Sequence, residues 1–190
     1  MRRSASIFRG LCLGLLAAVS VGNLSFADGM TLTSGEFKDG DYIANEQVFK
    51  GFGCEGQNVS PSLSWSGAPE GTKSFALTVY DPDAPTGSGW WHWVVVDLPT
   101  ATASLPKGAG TADGANLPAG ALQVRTDFGA PGYGGPCPPE GDHPHRYVFT
   151  IHALDLDKLD VTADSSPALV GYYLNFHTIA KASLMGLYKR

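Results

Sequence analysis

Short apolar runs separated by long stretches of glycine, proline and small polar residues give this chain its pattern. The clearest run is residues 145–154, rich in aromatic and β-branched side chains, which predicts a strand. Its alternation puts His145, Tyr147, Phe149 and Ile151 on one face, and Arg146, Val148, Thr150 and His152 on the other. Residues 74–80 alternate through Phe75, Leu77 and Val79, as a half-buried strand does, and 93–96 read as a fully buried one. Weaker signals mark strands at 30–37, 63–65, 122–128 and 183–188, while 42–49 fits either a strand or a loop. One helix is predicted. Ser166 is a capping residue, Pro167 suits the first helical position, and Leu169, Val170, Tyr173, Phe176 and Ile179 follow at helical spacing to about Ala180.

The intervening stretches are as informative as the strands. Residues 100–120 form an irregular excursion, and 129–144 hold too much glycine and proline for regular structure. With 24 glycines and 13 prolines, the composition favours many turns and short strands over helices. At the N-terminus, Arg2, Arg3 and Arg9 precede an apolar run at 11–21 and the small-x-small Ser25-Phe26-Ala27. That pattern predicts a signal peptide over 1–27 and a single domain over 28–190, periplasmic or secreted, with no transmembrane segment in the mature chain. Cleavage removes three arginines and makes the formal charge of −5 more negative, which excludes an electrostatic footprint for nucleic acid. It also leaves Cys54 and Cys137 as an even pair in an oxidising compartment. A disulfide is expected there, with free thiols or metal ligation as alternatives.

The candidate chemistry lies where two strands meet two loops. Asp81-Pro82-Asp83-Ala84-Pro85 must leave the sheet, because proline fixes φ and offers no N–H to a ladder. After a glycine loop come Trp90-Trp91-His92-Trp93, which set His92 at the start of a strand facing those carboxylates. His145 likewise opens a strand after a Gly/Pro loop. Either these are two unrelated surface histidines, or the two loops close one pocket, lined by His92, His145, Tyr147, Asp81, Asp83 and the backbone N–H groups of the turn at Gly134-Gly135-Pro136. His143 and His145 with Asp81, Asp83 and His92 could instead hold a metal, but Pro144 argues against both histidines lying on a regular strand, and no metal or cofactor is assigned. A nucleophile elbow of the Gly-x-Ser-x-Gly type is absent. His152 and His177 read as structural.

Taken together, Asp81-Pro-Asp-Ala-Pro85, Trp91-His92-Trp93, Gly134-Gly-Pro136 and His145-Arg146-Tyr147 resemble the phosphatidylethanolamine-binding protein family. Asn58-Val-Ser-Pro61-x-Leu-x-Trp65 and Gly135-Pro-Cys-Pro-Pro139 point to its bacterial Raf-kinase-inhibitor-like branch, and the resemblance runs from about Phe37 to Tyr188. It implies a mainly β fold, a compact domain of two antiparallel sheets with a few peripheral helices. It further implies a non-catalytic protein with a small pocket for phosphate or a phospholipid headgroup, using Asp81, His92, His145 and Tyr147 with Asp83 and Trp90 nearby. Cytosolic kinase inhibition does not suit an exported chain. The C-terminal helix that flanks the pocket in animal members is not evident. Inhibition of a secreted protease through the loops, a hydrolase using His92 and His145, and a homodimer stay open as alternatives. In the anion pocket both imidazoles, the Gly134-Gly135 turn and Tyr147 are expected to donate, with Asp81 accepting from one imidazole.

Overall fold

The computed structural model describes residues 29–190, so the leader expected at 1–27 lies outside the described residues. Ten strands and one helix follow in order: β1 (Thr31–Ser34), β2 (Lys50–Gly51), β3 (Cys54–Glu55), β4 (Leu63–Ser66), β5 (Ser74–Asp81), β6 (Trp90–Pro99), β7 (Ser104–Leu105), β8 (Leu122–Gln123), β9 (His145–Leu154), α1 (Pro167–His177) and β10 (Thr178–Tyr188). Five of them form the main sheet in the order β10-β9-β5-β6-β8. A three-stranded sheet runs β1-β4-β7, and β2 with β3 makes a separate ribbon. Every pairing between named strands is antiparallel.

The main sheet is buried on both faces, which explains the unbroken apolar run of β6. Trp93 and Val95 pack with Leu77, Phe149 and Ile151 against Leu32, Leu63 and Trp65 of the smaller sheet. Val94 and Val96 point the other way, onto Val170 and Leu174 of α1 and onto Leu159. Alternation along β9 is as expected: His145, Tyr147, Phe149 and Ile151 are buried, while Arg146 is exposed.

Several expectations at element ends need correction. The 42–49 segment is a loop, joined to β10 by an isolated bridge from Tyr42 to Leu187 and by Ile43 packed against Gly186. The edge strand at 122–128 is two residues long, because Arg125 and Thr126 bond to Ala163 and Ala130 instead of to a strand. The closing strand begins earlier, at Thr178, and takes residues 178–180 from the helix. Ser166 caps α1 as expected, accepting from the Leu169 N–H, but the buried face is Pro167, Val170 and Leu174. Leu169, Tyr172 and Phe176 are exposed, so the spacing of apolar residues did not identify the packed face.

Candidate functional site

The candidate site sits at one end of the three central strands. β5 ends at Asp81, β6 starts at Trp90 opposite it, and β9 starts at His145. His92 owes its direction to a bulge. Val79 pairs with Trp93 and Tyr80 with Trp91, so His92 is the extra residue between two ladder positions. A bulge breaks strict alternation and re-aims a side chain. Regular alternation would have pointed His92 with Val94 towards α1. It instead lines a cavity of about 200 Å³ with Asp81, Trp90, His145 and Tyr147.

Each polar group has a definite state. His92 is buried and its Nδ1–H donates to the Gly134 carbonyl at 2.6 Å. Burial lowers its pKa to about 4, against the pull of that carbonyl and of Asp81. The ring is therefore neutral at pH 7, and Nε2 carries a lone pair. His145 is held at both nitrogens, Nδ1 by Asp81 at 2.8 Å and Nε2 by Asp142 at 3.2 Å. Burial opposes its charge, but the two carboxylates outweigh burial and the net shift is upward. Asp81 is engaged by the protein at both oxygens, since the one not facing His145 accepts from the N–H groups of Asp83 and Ala84. Tyr147 is 1% exposed, and burial, then the charge of Asp81, pushes its phenol pKa upward. It stays protonated and able to donate.

Among the described residues, four buried side-chain polar atoms have no partner: Gln47 Oε1, Trp65 Nε1, Trp90 Nε1 and Tyr147 Oη. Two of the four belong to side chains that line this one cavity. The indole of Trp93, by contrast, is paired to Gln123 at 2.7 Å.

The structure brings together five of the nine expected ligand-binding residues: Asp81, Trp90, His92, His145 and Tyr147. Asp83 is turned away to a bidentate pair with Arg146, whose hydrogen bond holds its pKa down to about 2. Gly134 and Gly135 offer no anion nest. Their N–H groups are taken by the His92 carbonyl and the Asn58 side chain at 2.8 Å each, and Pro136 accepts from Phe49. The two glycines serve close packing instead. A Cβ at Gly134 would lie 2.3 Å from the Phe128 ring, and one at Gly135 would lie 2.0 Å from the Gln47 carbonyl oxygen. The expectation that both imidazoles donate is corrected as well, since both His145 nitrogens are already engaged by carboxylates.

The aromatic walls went unpredicted. Phe128 contacts His92, Trp90, Phe49 and Phe52, and Phe52 sits 70% exposed at φ 52°. Cys54 and Cys137 form a disulfide with Cα atoms 6.0 Å apart, as expected, and this tie draws Phe52 to Pro138 and Pro139 at the cavity wall. A disulfide brings the neighbours of both cysteines together, so the expected pairing was itself the signal for Phe52. Phe128 lay in a segment read as an edge strand and gave none.

This fold and site define a mainly β protein with a small cavity at one end of its central strands, walled by aromatic rings and prolines and lined by two side chains whose buried donors are unpaired. The class has a family. The phosphatidylethanolamine-binding protein profile matches residues 33–189, and the chain belongs to that family. The UPF0098 protein YbcL of Escherichia coli K12 is 57% identical over 86% of this chain and 89% of its own length. YbhB from the same organism is 52% identical over 84% of this chain and 99% of its own. The crystal structure of YbcL, described as a member of the mammalian PEBP family, superposes with a TM-score of 0.84 at 56% identity, covering 86% of this chain and 99% of that one. A putative phosphatidylethanolamine-binding homologue from Chlamydia trachomatis gives 0.70 at 34% identity, covering 85% and 98%.

Proposed function

We propose that the protein is an exported, non-catalytic binding protein whose cavity takes one small oxyanion, a phosphate group free or on a small headgroup. The observation that carries this reading is the pair of unpaired buried donors, Tyr147 Oη and Trp90 Nε1, on side chains that line the same cavity. A buried donor without a partner costs about 1–3 kcal/mol, and a ligand oxygen recovers that cost. His92 Nε2 adds an acceptor that matches an acidic O–H of the ligand, or a donor once protonated. The walls from Phe52, Phe128, Trp90 and the prolines make the cavity largely apolar around its polar groups and leave room for a small organic substituent. Neither arginine nor lysine lines the cavity, and Asp81 already shares its charge with His145. A singly charged oxyanion therefore suits the site better than a dianion.

The non-catalytic reading is supported by the state of the two histidines. His145 has no free nitrogen, His92 is fixed through Nδ1, and Cys137 is consumed in the disulfide. Export rests on the leader pattern and agrees with that disulfide. Calorimetric titration with phosphate and with phosphoethanolamine at pH 8, 7 and 6 tests the proposal. Anion binding favours protonated His92, so the complex holds more protons than the free protein and affinity should strengthen as pH falls. His92→Ala should weaken binding by about 1.5–3 kcal/mol, the range for a hydrogen bond to a charged group. Unchanged affinity in that variant would place the anion elsewhere.

A further inference from the structure

At the rim of the cavity, the turn that leads into β9 carries Asp142, His143 and His145, whose ligand-type atoms all lie within 4.8 Å of one another. We infer that these three side chains form a site for one divalent transition metal of the zinc class, with Asp81 as its orienting partner.

The geometry gathers three potential ligands around one carboxylate. Asp142 Oδ2 faces His145 Nε2 at 3.2 Å, and its Oδ1 faces His143 Nδ1 at 2.9 Å. Zinc bonds of about 2.0–2.1 Å in a tetrahedron set neighbouring donor atoms about 3.3 Å apart. The two histidines bond to different oxygens of the one carboxylate, and with all three ligand-type atoms within 4.8 Å of one another a small inward movement would bring them to that spacing. Pro144, between the two histidines, fixes φ on the connecting backbone, and the two rings sit with centroids 5.3 Å apart. The proline that speaks against a regular strand is thus what turns both rings to one carboxylate.

The buried histidine supplies the second observation. His145 Nδ1 is held by Asp81 Oδ2 at 2.8 Å in a fully buried contact. A ligating histidine usually gives its other ring N–H to a carboxylate in this way, which fixes the tautomer and raises ligand basicity. With Nδ1–H committed to Asp81, the contact between Nε2 and the Asp142 carboxylate at 3.2 Å is bridged by a proton in the metal-free protein, and a metal ion can take that proton's place. Imidazole and carboxylate suit zinc, and two histidines with one aspartate leave a coordination position for water or an anion. Among the described residues the Asp155–His177 pair, at 2.9 Å, belongs to no such group of three. It makes an internal control.

The test is titration of the purified protein with zinc chloride alone, in a buffer free of phosphate, followed by calorimetry. Cobalt(II) substitution serves as a second readout through the absorption of four-coordinate cobalt. The expected result is one ion per chain, with Asp142→Ala and His143→Ala each weakening binding tenfold or more and His177→Ala leaving it unchanged. Asp142 and His143 lie outside the core, so both variants fold. Asp81→Asn should weaken the ion by about 10–100-fold while the stoichiometry stays at one. Tyr147→Phe should bind zinc like the wild type whatever becomes of its phosphate affinity, which separates failure here from failure of the oxyanion reading. The inference is overturned if no ion binds, if Asp142→Ala and His143→Ala bind like the wild type, or if His177→Ala loses binding equally.

Discussion

The same chemical change at two buried tyrosines should act in opposite directions. Tyr147 is 1% exposed and its hydroxyl has no partner, so Tyr147→Phe removes a polar atom that the ligand-free fold does not use. Relief of an unsatisfied donor is worth up to about 1–3 kcal/mol, and stability of the free protein should be unchanged or raised within that range. For a domain of this size 1 kcal/mol moves the thermal midpoint by roughly 2–4 °C. Tyr133 is 5% exposed, and its hydroxyl donates to the Gln47 carbonyl at 3.0 Å. Tyr133→Phe orphans that carbonyl and should cost about 1–3 kcal/mol. Binding should then invert the ranking. Tyr147→Phe should lose about 1.5–3 kcal/mol of phosphate affinity, roughly 10- to 150-fold, whereas Tyr133→Phe, once folded, should bind like the wild type. Thermal unfolding without ligand and calorimetry with phosphate read both quantities. If Tyr147→Phe is destabilised like Tyr133→Phe and binds phosphate normally, its hydroxyl is a structural partner and the reasoning fails.

Three further outcomes follow from the same geometry. Protein recovered from an oxidising compartment should show no free thiol under non-reducing mass spectrometry, and reducing the Cys54–Cys137 tie, whose sequence separation is 83, should cost about 4 kcal/mol less any strain; two free thiols would contradict this. Burial lowers the pKa of both His92 and His152 to about 4, so the stability they contribute is complete above their ordinary value near 6.5 and is lost as pH falls towards 4. His145 is shifted upward, so its contribution is complete below its ordinary value near 6.5 and does not fall as pH drops further towards 4; denaturant unfolding should show up to about 3 kcal/mol lost per lowered histidine between pH 6.5 and 4, and equal stability at both ends would refute it. Asp83→Asn should leave phosphate affinity unchanged, since that carboxylate is committed to Arg146 outside the cavity, and a tenfold loss would return it to the site.

Much of the fold was legible because its strands alternate. Strand β9 was read to its ends and with the right faces, since its aromatic and β-branched residues leave one side free for the core. The helix start was legible from Ser166 and Pro167, but not its buried face, because α1 carries apolar side chains nearly all round and tertiary contacts chose among them. Asp81, His92 and His145 were legible as neighbours because Asp81 and His145 adjoin prolines that interrupt the sheet and His92 opens the strand after the glycine loop; the structure sets all three along one cavity. The bulge at His92 left no sequence mark, and the right direction for that ring came from its neighbours in the motif. Gly134 and Gly135 were misassigned for a physical reason: glycine suits both an anion nest and a close backbone approach, and only the partners of the N–H groups tell them apart. Asp142, which closes on His145 across the rim, was passed over as a turn residue in a proline-rich loop.

The central claim is that the cavity takes an oxyanion on Tyr147, Trp90 and His92. A crystal structure of the protein with phosphate at saturating concentration tests it most directly. The account predicts a phosphate inside the cavity, with oxygens within hydrogen-bonding distance of Tyr147 Oη, Trp90 Nε1 and His92 Nε2. A cavity that holds only water under those conditions, with phosphate bound elsewhere or nowhere, would contradict it.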